Sequence, residues 1–153
     1  MADNILDVEE GAKTSLICED NQDFRNTITS VLKELKYETD VAANADEAFE
    51  KLRFNRYDVV AISEKFAGSA PENNELLKHL QTMPMSNRRH IFVALLGENL
   101  STGDNMQAFD KSVNVVINEK DMSNLKTTLK RSISDNDQFY KVYKESLIKL
   151  GKR

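Results

Sequence analysis

Tyr57-Asp58-Val59-Val60-Ala61-Ile62-Ser63 is the stretch that decides the fold. Between Asp58 and Ser63 the chain is apolar at every position, so neither face of this segment is meant for water. A strand with one wet face alternates; a strand apolar on both faces lies in a parallel sheet covered by helices on both sides. Leu16-Ile17-Cys18 reads the same way upstream, as do Ile91 to Leu96 and Val113 to Ile117 downstream. Val41-Ala42-Ala43 marks the remaining strand.

Helical spacing fills the gaps. Phe24, Ile28, Val31, Leu32 and Leu35 share one helix face behind an Asn21 N-cap. Ala45, Ala48, Phe49 and Leu52 form a second stripe, and Asn44 with Glu47 resembles a capping box. Leu76, Leu77 and Leu80 make a third between Pro71 and Pro84, residues 101–109 a shorter fourth, and Leu125, Leu129 and Ile133 a fifth. Strands alternating with helices predict an α/β fold: a three-layer, doubly wound, five-stranded parallel sheet. Functional groups in such sheets collect past the carboxyl ends of the strands. Here those ends carry Glu19, Asp20, Ser63, Glu64, Leu96, Gly97, Asn118 and Glu119.

The chain has 153 residues, about one domain's worth. Residues 1–13 read as an acidic tail with Asp3, Asp7, Glu9 and Glu10 against Lys13, and residues 14–134 as the domain. Ser134-Asp135-Asn136-Asp137 then interrupts the pattern, and residues 135–153 form a C-terminal amphipathic helix. Its stripe is Phe139, Tyr143, Leu147 and Leu150, and Gly151 ends it. An isolated helix of this length is marginal in water, so it packs either on its own domain or on another chain, which leaves a homodimer open. Its lysines would suit an acidic partner or the N-terminal tail, although a solvated basic face is the plainer reading.

A net charge of −4 and a pI near 5.3 argue against nucleic acid as a partner. One cysteine excludes an internal disulfide or a cysteine-based zinc site, and the two histidines are too few for a histidine-rich one. No apolar run reaches a membrane span, so no membrane insertion is expected. The N-terminus lacks the basic start and apolar core of a signal peptide, and a soluble, cytoplasmic protein is the expectation. No glycine-rich phosphate loop is present. A flavin would meet Glu19-Asp20-Asn21-Gln22-Asp23 after strand one, which repels phosphate. Cys18 reads as packing, His79 as a solvated or partly packed helix residue. Arg88-Arg89-His90 is a basic cluster just before strand four, of the kind that is usually a solvated turn.

The segments Ile17-Cys18-Glu19-Asp20-Asn21, Tyr57 to Ser63, Phe66-Ala67-Gly68 and Glu75-Leu76-Leu77 resemble, in order and spacing, the receiver domain of two-component response regulators over roughly residues 14–134. The resemblance implies the flavodoxin-like strand order 2-1-3-4-5 and a signalling role in a phosphorelay. Receivers take a phosphoryl group on an aspartate at the end of strand three. Mg²⁺ is held there by an acidic pair after strand one, a hydroxyl after strand four and a lysine after strand five complete the site, and an aromatic on strand five acts as switch. This chain keeps the acidic pair, Glu19 and Asp20. Ser63 stands at the acceptor position, Leu96 at the hydroxyl, Asn118 at the lysine and Val115 at the switch.

Losing the acceptor and the lysine together removes one charge of each sign and strands neither. A Ser63–Asn118 hydrogen bond is the expected replacement. No catalytic residue and no cofactor are expected, beyond weak Mg²⁺ binding at Glu19 and Asp20, because two carboxylates make a poor cage. The reading is a degenerate pseudo-receiver, not an enzyme, that acts on signalling proteins through protein–protein contact. By resemblance its binding surface is the fourth helix, fifth strand and fifth helix, with the terminal helix extending or covering that face. The alternative is an atypical receiver still phosphorylated on Ser63, with Glu19 or Asp20 as base or metal ligand.

Overall fold

The computed structural model describes residues 13–149, with side chains through Ser146 except those of residues 143 and 144. The acidic tail up to residue 12, Leu150 and the Gly151 stop lie outside the described residues, as do the side chains of Tyr143 and Leu147. Five strands, β1 (Lys13–Cys18), β2 (Tyr37–Val41), β3 (Val59–Ser63), β4 (Phe92–Gly97) and β5 (Val115–Asn118), form one sheet in the order β2-β1-β3-β4-β5. Every pairing is parallel. The helices are α1 (Gln22–Glu34), α2 (Ala45–Phe54), α3 (Glu75–Thr82), α4 (Asn105–Asp110) and α5 (Leu125–Lys149). A single helical turn, Met85–Arg88, leads into β4.

Over β1, β3, β4 and β5 both faces of the sheet are dry, as the unbroken apolar runs require. Leu16, Cys18, Val60, Ile62, Val93 and Leu95 point to one core layer, under α2, α3 and α4. Ile17, Val59, Ala61, Ala94, Leu96 and Ile117 point to the other, under α1 and the first turns of α5. All five residues of β3 are buried. Burial pushes the pKa of the Cys18 thiol far above the ordinary thiol range, with Asp20 adding to it, which fits a packing residue.

Asn21 accepts from the Phe24 N–H at 3.0 Å and caps α1. Asn44 accepts from Glu47 N–H at 2.8 Å, but the Glu47 carboxylate returns to Ala43 N–H, one residue before the cap. Two expectations shift. The second strand is Tyr37–Val41, ahead of the expected Val41-Ala42-Ala43, because an edge strand is set by its ladder to β1 and needs only one buried face. Lys13, assigned to the tail, opens β1 and pairs with Tyr37. The break expected at Ser134-Asp135-Asn136-Asp137 is absent: α5 runs unbroken for 25 residues, about 37 Å at 1.5 Å per residue. A strand of 6 residues such as β4 spans about 20 Å. The helix therefore overshoots the sheet at the end where the strands begin.

Candidate functional site

The carboxyl ends of β1, β3, β4 and β5 meet in one rim. Glu19 is buried there. Its Oε2 accepts from the Asn21 N–H at 3.1 Å, while its Oε1 is buried without a hydrogen-bond partner. Burial raises the Glu19 pKa, and Glu119 and Asp20 raise it further. Asp20 is exposed and accepts from the Gly68 N–H at 3.0 Å across the rim. Ala67 (φ 60°) and Gly68 (φ 73°) are both left-handed, a conformation glycine adopts freely and alanine does not, and this turn aims the Gly68 N–H at the carboxylate.

Ser63 is buried, and its Oγ accepts from the Lys65 N–H at 3.2 Å. Asn118 does not meet it. Its Nδ2 donates to the carbonyls of Glu98 and Leu100, at 3.2 and 2.7 Å, and its Oδ1 accepts from Lys120 N–H at 2.8 Å. The expected Ser63–Asn118 hydrogen bond is therefore corrected: the amide is consumed by backbone groups of the loop after β4, which offers two carbonyls where Ser63 offers one hydroxyl. Leu96 and Val115 are buried in the layer under α5 and belong to the core.

Glu64 turns to the other layer, where it is buried against Gly97. A methyl group on Gly97 would overlap the Glu64 carboxylate. Burial raises the Glu64 pKa; Lys111, with Nζ 4.0 Å from Oε2, opposes this, and Glu119 adds to it. Lys65 pairs with Glu98 at the exposed edge of the rim. Among the described residues no group of three or more histidine, cysteine or acidic side chains is placed to hold a metal ion. Ser63 brings no carboxylate and Glu64 faces away, which leaves Glu19 and Asp20 as an acidic pair without an acceptor carboxylate beside it.

Three contributors were not legible in the sequence. Asn74 is buried and donates from Nδ2 to the carbonyls of Ser63 and Glu64, both at 3.0 Å, while accepting from the Leu77 N–H. An asparagine before Glu75-Leu76-Leu77 signals a cap; its hold on the end of β3 is visible only once the chain has folded. Lys65 and Glu98, far apart in the sequence, carry no pairing signal at all.

No family model matches the chain, and no curated protein matches it in sequence. Solved structures do match it. The chemotaxis response regulator CheY4 of Vibrio cholerae superposes with a TM-score of 0.62 at 19% identity, over 79% of this chain and 98% of that one. The receiver domain of Francisella response regulator 1452 gives 0.61 at 17% identity, over 83% and 98%. This is the receiver fold. NtrX of Brucella abortus matches with a TM-score of 0.67 at 16% identity, over 93% of this chain and 30% of that one. The receiver fold explains why Glu19, Asp20, Ser63 and Asn118 share one rim: strand order brings their strand ends side by side. No helix among the described residues is long and apolar enough to cross a membrane.

Proposed function

We propose that this chain is a receiver-like module of two-component or phosphorelay signalling that takes no aspartyl phosphate, catalyses no reaction and acts by protein–protein contact. One observation carries the reading. At the end of β3 the acceptor position holds Ser63, whose hydroxyl is bonded by a backbone N–H, while Asn118 at the lysine position is bound to two carbonyls. A phosphoryl group arriving there meets neither a carboxylate nucleophile nor a cation at the end of β5. Lys65, the cation nearest the acceptor in sequence, is paired with Glu98.

The contact surface fits the face that the resemblance implies. Met106 and Phe109 project from α4, 75% and 82% exposed, which are costly side chains to leave in water without a partner. On α5, Phe139 and Val142 form a short exposed apolar strip at helical spacing. Signalling proteins are the partners proposed, and a second copy of the chain is one arrangement that this strip admits.

Acetyl phosphate with Mg²⁺ tests the chemistry. The intact mass is expected to stay unchanged. A phosphoryl gain that disappears in Ser63→Ala or Asp20→Asn would overturn the proposal in favour of an atypical, phosphorylated receiver.

A further inference from the structure

At the opposite end of the sheet, where the strands begin, lies a cavity of about 340 Å³. It exists because α5 does not stop at Ser134. The turns carrying Asn136, Asp137 and Tyr140 pass beyond the sheet edge and wall off the starts of β1 to β4. Its volume is in the range of small-molecule sites.

The lining sorts into three chemistries. Lys13, Arg56 and Arg89 supply positive charge; no ion pair among the described residues engages any of them, and Lys13 Nζ lies 5.8 Å from the centre of the Tyr37 ring. Arg89 belongs to the Arg88-Arg89-His90 cluster, which is not the solvated turn it reads as. Arg88 is tied down by the carbonyls of Ile91 and Ser112 and by Asn114. Arg89 is half-buried and lines the cavity.

Asp58 and Asp137 supply acceptors. One Asp58 oxygen already takes the Thr14 N–H at 2.9 Å, and the other can receive a hydroxyl. Phe92 and Tyr140 supply flat apolar walls, while the Tyr37 ring lies under Lys13. Burial, then Asp137 and Asp58, push the Tyr37 phenol up to about 12, so it keeps its proton as a donor.

We propose that this cavity binds a small phosphorylated ligand bearing hydroxyl groups and a planar ring, the chemistry of a nucleoside monophosphate. The phosphate goes to Lys13, Arg56 and Arg89, the hydroxyls to Asp58 and Asp137, and the ring lies against the aromatic walls. The site is on the far side of the sheet from Ser63 and does not depend on the function proposed for that rim.

Titration of the full chain with adenosine 5′-monophosphate tests this, followed by calorimetry and by backbone amide shifts. Saturable binding is expected, with shifts at Thr14, Asp58, Phe92 and Asn136 and none at Ser63 or Gly68. Arg56→Ala and Arg89→Ala should each weaken it about tenfold, and Arg89→Lys less, because a charge-assisted hydrogen bond to phosphate is lost. Arg56 is exposed, so Arg56→Ala serves even if the Arg89 variants fold poorly. Adenosine and inorganic phosphate alone should each bind more weakly. Absence of saturable binding at millimolar ligand, equal binding of adenosine, undiminished binding by Arg56→Ala, or shifts gathered at the Ser63 rim would each overturn the proposal.

Discussion

Buried polar side chains at the rim fix its shape one residue at a time. Asn74 satisfies two carbonyls and one N–H from a position that is itself buried. Asn74→Ala leaves all three without that partner and should cost about 2–4 kcal/mol in urea denaturation. Gly97→Ala forces its methyl against Glu64 and should cost about 1–3 kcal/mol, the range for overpacking. In a Glu64→Ala background that penalty should largely vanish, which a double-mutant cycle reads directly.

Glu19 sets a pH dependence. A carboxyl whose pKa is higher in the folded chain than in the unfolded one holds its proton more tightly when folded. Its contribution favours folding below the ordinary value of 4.5 and is lost as pH rises through the raised folded value. Glu19→Gln keeps an oxygen for the Asn21 N–H and removes the buried charge. Its stability gain over the wild type should therefore be small in acid and grow as pH rises from 4.5 towards neutrality. A difference that is flat with pH would mean that Glu19 ionises as freely in the fold as outside it.

Among the elements, α5 departs furthest from what its residues suggest. Ser134-Asp135-Asn136-Asp137 has low helix propensity, and a break there is the local reading. Leu125, Leu129 and Ile133 anchor the first turns in the core, so the costly nucleus is already in place and each further residue only propagates it. Asn136 is also held from outside: its Oδ1 accepts from Asn114 Nδ2 at 3.3 Å. Asn114 joins three elements, since its Oδ1 also accepts from the Val93 N–H and from Arg88. Asn114→Ala should cost about 1–3 kcal/mol. It should also lower helical circular dichroism if the outer turns of α5 lean on this link. Edge strand β2 shows the same override in reverse, because pairing with β1 outweighs the apolar run that follows it.

For the whole molecule, two core layers share one sheet, and every strand contributes side chains to both or borders one that does. Neither layer has a sheet of its own to fall back on. Far-ultraviolet circular dichroism and tyrosine fluorescence should therefore report one coincident urea transition, with a slope of about 1–3 kcal/mol per molar. Separate midpoints would show that the layers come apart independently.

By itself the sequence determined the layers and their order of appearance, because burial on both faces of a strand and on one face of a helix writes a period that needs no partner to be read. It also determined which residue types stand at the ends of the strands, Ser63 and Asn118 among them. Only the tertiary structure decided what those side chains do. Asn118 binds carbonyls rather than Ser63, Glu64 folds under Gly97, and α5 runs on to set Asn136, Asp137 and Tyr140 beside Arg89 around one cavity. Those outcomes depend on hydrogen-bond partners and cavity walls that are distant along the chain, and proximity of that kind leaves no periodic mark on the residues that share it.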